Sequence, residues 1–110
     1  MVYTFESHFA AQIENFIAQK NALGFSYLES SRLLRDFDRF CLTYFPDEDW
    51  LTEEICLTWA TKRNTEGNNT FRNRMMPVRE FARYLNRNGE NAYVLPPDIA
   101  RKDAPYAPYI

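Results

Sequence analysis

The chain has 110 residues, 45% of them apolar and 16% aromatic, which excludes a disordered polypeptide and suffices for one domain with its own core. Its net charge of −2 excludes a uniformly basic coat, but the charge is unevenly spread. Residues 1–60 carry four basic and ten acidic residues, whereas residues 61–110 carry nine and five, so one face is expected to meet an anion, with nucleic acid the leading candidate. No apolar run approaches the roughly 18 residues of a membrane span, and no secretory signal pattern opens the chain. Cys41 and Cys56 stand singly inside helical patterns and are expected to be buried, reduced thiols, which fits a cytoplasmic protein.

Residues 3–23 read as a first helix with an apolar stripe of Phe9, Ile13, Phe16 and Ile17, extended by the stem of Lys20. Ser7 is its candidate cap and Gly24 ends it. After a short turn at 24–26, Ser26 and Glu29 form a capping-box pattern that starts a second helix running to about Phe45. This helix is expected to bury Leu33, Leu34, Phe37, Phe40, Cys41 and Tyr44 and to expose Ser31, Arg32, Arg35, Asp38 and Arg39. Pro46 stops it in an acidic loop. Thr52 then caps a short third helix, with Glu53 and Glu54 where the macrodipole favours acids, and with Ile55, Leu57, Trp59 and Ala60 on its apolar side. A loop at 64–68 follows.

The most informative stretch is Asn69 to Gly89. Phe71, Met75, Val78, Ala82 and Leu85 make one apolar stripe at helical spacing, with Phe81 beside it, while Arg72, Arg79, Arg83 and Arg87 share another side. Five arginines and Glu80 give the segment a charge of +4. Asn69 or Thr70 can cap the first turn and Gly89 can close the last. Pro77 requires a kink or a later helix start, and the apolar spacing that runs straight through it favours a kinked continuous helix. Residues 91–97 read as an extended segment packed on the bundle. Residues 98–110 have no periodicity and read as a linker.

The single histidine, His8, and the absence of a cysteine pair at zinc spacing predict no metal and no cofactor. There is no glycine-rich phosphate loop and no nucleophile–base set, so no catalytic residue is assigned. The paired acids sit at a helix start, on an open face and in a loop, where solvation accounts for them.

Two helices carry a family resemblance. GFSYLESSRLLRDFDRF resembles the first signature of the core-binding domain of tyrosine recombinases, the phage integrase and Xer-like families, through Gly24, Ser26, Leu33, Arg35, Asp36, Phe37 and Phe40. Glu29 stands where that family often has threonine. TFRNRMMPVREFARYLNRNG resembles its second signature through Thr70, Val78, Arg79, Phe81, Tyr84 and Leu85, with Pro77 as a departure. Pro108-Tyr109-Ile110 resembles the junction before the family's catalytic domain.

The resemblance implies an all-α, SAM-like orthogonal bundle of four helices over residues 1–97, followed by an extended linker at 98–110 toward a catalytic domain outside this chain. That separate domain would hold the tyrosine nucleophile, so this fragment would not itself be an enzyme. The implied partners are double-stranded DNA, the catalytic domain of the same full-length chain and other recombinase protomers, with the isolated fragment a monomer. In the family the second and fourth helices face the major groove. The candidate DNA contacts are Ser30, Ser31, Arg32 and Arg35 on the second helix and Asn69, Thr70, Arg72, Asn73, Arg79 and Arg83 on the fourth. Two alternatives stay open within this set: Arg79 can be structural, bridging to an acid, and Asn69 and Thr70 can serve only as caps. A helical protein-interaction module using Tyr27 and Tyr84 is the competing reading.

Overall fold

The computed structural model describes residues 4–24, 27–61 and 66–96. They form an all-α domain of four helices: α1 (Ala10–Ala22), α2 (Leu28–Tyr44), α3 (Glu53–Trp59) and α4 (Asn68–Arg87). α2 packs against the other three helices, and α1 also packs against α4. The predicted stripes become the core. Phe9 at the N-cap of α1, Ile13 and Phe16 within it, and Leu34, Phe37 and Cys41 of α2 are buried, as are Ile55, Cys56 and Trp59 of α3. All six predicted apolar positions of α4 are buried too. Phe16 joins three elements through ring contacts at 5.7 Å to Tyr27, 5.7 Å to Phe81 and 5.1 Å to Tyr84.

α1 starts later than its periodicity suggests, and a buried acid is the reason. Asp38 of α2 is 1% exposed rather than solvent-facing. Its carboxylate accepts the Glu6 amide at 2.9 Å, the Ser7 amide at 3.0 Å and the Ser7 hydroxyl at 2.6 Å. These bonds pin the entry segment to α2. Ser7 then turns the chain, its hydroxyl accepting the Phe9 amide at 3.1 Å and its carbonyl the Ala10 amide at 3.1 Å. Replacing Asp38 by alanine would strand two buried donors of Ser7 and the part-buried Glu6 amide, and is expected to cost about 1–3 kcal/mol. Urea titration checks this, and a loss below about 0.5 kcal/mol would show that the entry segment is held by packing alone.

Other boundaries also depart from the sequence reading. Ser26 of the expected capping box lies outside the described residues, α2 begins with Tyr27 at its N-cap, and the Glu29 carboxylate turns to Arg32. Ser31 is buried, Leu33 and Phe40 are half-buried, and Tyr44 is exposed. On α3 the Thr52 hydroxyl caps the Ile55 amide at 3.1 Å, as expected, but Cys56 takes the core position and Leu57 faces outward. The N-cap of α4 is Gly67, so Asn69 and Thr70 lie inside the first turn.

α4 runs through Pro77 without a break. The Arg74 carbonyl, next to the Asn73 carbonyl that Pro77 leaves without its helical donor, accepts the Trp59 indole N–H at 3.1 Å and so ties this turn to α3. At its end Gly89 takes a left-handed φ of 87°. There Glu90 N–H bonds to Leu85 C=O at 3.0 Å and Gly89 N–H to Asn86 C=O at 3.1 Å, a Schellman closure that needs the glycine. The chain then returns along α3. Tyr93 N–H donates to Leu51 C=O at 2.9 Å beside a single parallel Leu51–Ala92 bridge, and Leu95 is buried. The predicted linker at 98–110 lies outside the described residues.

Candidate nucleic-acid interface

At about 100° per residue, Arg72, Met76, Arg83 and Arg87 fall within about 60° of one another on α4, opposite the buried stripe. Asn69, Thr70, Arg72, Asn73, Arg83 and Arg87 are all exposed. Among the described residues no acid pairs with Arg72, Arg83 or Arg87. Arg87 was not one of the ten candidate contacts, although its spacing already placed it on this side. Met76, exposed by 37%, gives the middle of the face an apolar spot.

Arg79 belongs to the edge of this face. It lies about 40° from Met75 on the helix surface, is half-buried, and its Nε donates to the Leu95 carbonyl at 2.9 Å. The structural alternative for Arg79 therefore applies, with a backbone carbonyl as the partner instead of an acid. Arg79 tethers the returning segment to α4.

Arg74 is the arginine that the sequence reading left unplaced. It sits three residues after Phe71 and four before Val78, inside the apolar sector, and is 4% exposed. Its guanidinium pairs with both oxygens of Glu66, at 2.7 and 2.9 Å, and donates to the carbonyls of Thr61, at 3.0 Å, and Trp59. It also stacks 4.9 Å from the Trp59 ring centroid and 5.6 Å from that of Phe71. This cluster fixes the first turns of α4 against α3 and so aims the exposed arginines. Its sequence signal was present, since a cation at a core angle of an amphipathic helix demands a buried acid nearby.

The α2 candidates behave differently. The Ser31 hydroxyl is spent inside its own helix, donating to Tyr27 C=O at 2.6 Å, so it does not face solvent as expected. Ser30 is half-buried. Arg32 pairs with Glu29 and, at 3.8 Å, with Asp36; Arg35 lies 3.4 Å from Asp36. The hydrogen bond from Arg32 holds the Glu29 carboxyl below its usual range. These pairs are partly exposed and individually weak, but they cancel the local charge, leaving α4 as the cationic element.

Tyr27 links the two helices by donating its hydroxyl to Glu80 at 3.0 Å. Burial first, and the Glu80 charge second, push this hydroxyl far above its usual range, so it remains a donor. Cys41 and Cys56 are free and buried, and burial pushes the Cys56 thiol up to about 12, which makes it a packing group. Among the described residues no cluster of three histidine, cysteine or acidic side chains could hold a metal ion, and no helix is long and apolar enough to cross a membrane. Comparisons of the chain with protein families, curated proteins and solved structures find no match.

Proposed function

We propose that the chain is a DNA-binding domain, the core-binding module of a tyrosine recombinase, which grips duplex DNA while a separate catalytic domain cuts and rejoins strands. The observation that carries the DNA-binding part is the exposed α4 face, where Arg72, Arg83 and Arg87 have no acidic partner among the described residues. The recombinase part rests on the two helix signatures. Arg72 and Arg87 lie about 22 Å apart along the helix axis, enough to reach phosphates on both sides of a major groove about 12 Å wide. Asn69 and Asn73, exposed in the first turns, add neutral donors for phosphate or base edges. The competing protein-interaction reading loses support because Tyr27 and Tyr84 are half-buried and engaged with Phe16.

Titration of a fluorescent duplex with the chain at two salt concentrations tests the DNA-binding reading. Neutralising three phosphates gives a slope near −2.7 in log affinity against log salt, so affinity is expected to fall about 40-fold between 50 and 200 mM. Absent binding at 50 mM, or binding that ignores salt, would overturn it. Transfer of strands by this module joined to its catalytic domain, and loss of that transfer when the module is removed, tests the recombinase part.

A further inference from the structure

Glu80 is a half-buried acid halfway along α4, at the edge of its arginine face on the side toward Tyr27. On the helix surface it lies about 60° from Arg83 and about 40° from Met76, just beyond Arg87 at the border of the outward sector. Along the axis it stands about 12 Å from Arg72 and about 10 Å from Arg87, midway between the two terminal arginines. It forms no ion pair with Arg83 three residues on; its Oε1 instead accepts the Tyr27 hydroxyl from α2 at 3.0 Å. Its second oxygen has no donor among the described residues. A helix laid across a major groove can read base edges from its middle while its end contacts the backbone, as the third helix of a homeodomain does. A carboxylate at the middle weakens general attraction to phosphate, but it is a strong acceptor for the exocyclic amine of a base.

We propose that Glu80 is the sequence-reading residue of this face, its second carboxylate oxygen accepting a hydrogen bond from the N4 amine of a cytosine, with Tyr27 as the residue that positions it. This rests on the reading of α4 as a duplex-binding surface. Tyr27 occupies one acceptor site on Oε1 and limits the rotation of the side chain, so the second oxygen is presented in one direction.

Selection from a duplex library randomised over the central positions, carried out with the unaltered chain, Glu80→Gln and Tyr27→Phe, tests the proposal. The unaltered chain is expected to favour cytosine at one position by about 5- to 150-fold. Glu80→Gln should lose that preference and move toward adenine, which an amide pairs with, while its affinity for random duplex rises because a negative charge is gone. Tyr27→Phe keeps the charge, so random-duplex affinity should hold while the cytosine preference weakens; circular dichroism checks that it folds, and Glu80→Gln decides the matter if it does not. Duplex binding with no base preference, or a cytosine preference retained in Glu80→Gln, would overturn the assignment of Glu80 and leave the DNA-binding reading intact. No duplex binding at low salt would overturn both.

Discussion

Arg74→Ala is expected to lower the stability of the domain by about 3–5 kcal/mol, more than any other single polar change in α4. The side chains of Arg74 and Glu66 are 5% and 4% exposed, so removing the guanidinium leaves a carboxylate shut away from water without its main counter-charge. The carbonyl of Thr61 loses its guanidinium donor as well, and Trp59 and Phe71 lose a stacked cation. Arg74→Lys should recover only part of the loss, because an ammonium cannot make two parallel bonds to Glu66 and also reach two carbonyls. Replacing both partners, Arg74→Met with Glu66→Met, should be far milder than Arg74→Ala, since exchanging a buried pair for apolar groups is often close to neutral. Urea unfolding of the four proteins gives the comparison. A cost below about 1 kcal/mol for Arg74→Ala would mean that the pair does not anchor α4 and that packing alone sets its orientation.

Residue periodicity carried most of the fold into view. Phe71, Met75, Val78, Ala82 and Leu85 identify both the α4 helix and its buried side, because a helix repeats every 3.6 residues whatever it packs against. Thr52 and Gly89 were legible for the same reason: a cap and a left-handed turn are local chemistry. The partners of Arg74, Asp38 and Ser7 were not. Asp38 meets Glu6 and Ser7 from 31 or 32 residues away, and nothing local marks an acid that will collect amides from another segment. Arg79 shows the limit most clearly. Its partner is the Leu95 carbonyl, a group that every residue owns, so no pairing rule could have named it. The candidate interface was therefore half legible, as a helix with an arginine side, but which arginines stay exposed depended on where the loop at Glu66 and the segment at Leu95 fold back.

Changing Arg72, Arg83 and Arg87 together to alanine is expected to reduce duplex affinity by about two to three orders of magnitude near 0.1 M salt, while leaving the helices in place. Each phosphate contact contributes about 0.9 to the slope of log affinity against log salt, so the triple variant should flatten the slope by about 2.7. The three side chains are exposed and make no ion pair among the described residues, so their removal opens no core cavity and strands no acid. Arg79 is left out of the set because its loss would also free the Leu95 carbonyl, mixing a structural effect with an electrostatic one. Phe81→Ala serves as the opposite control: a fully buried ring on the other side of α4, whose removal should cost about 3–5 kcal/mol of stability and impair binding only through unfolding. If one of the three arginines reads a base instead of a phosphate, its single variant should relax preference at one position at a cost of about 1–3 kcal/mol, without changing the salt slope by a full unit. Circular dichroism establishes that the triple variant keeps its helices, and titration with labelled duplex at several salt concentrations gives both affinity and slope. A folded triple variant that binds duplex as tightly as the unaltered chain, with the same slope, would show that the arginine face of α4 is solvated surface and that the DNA-binding reading is wrong.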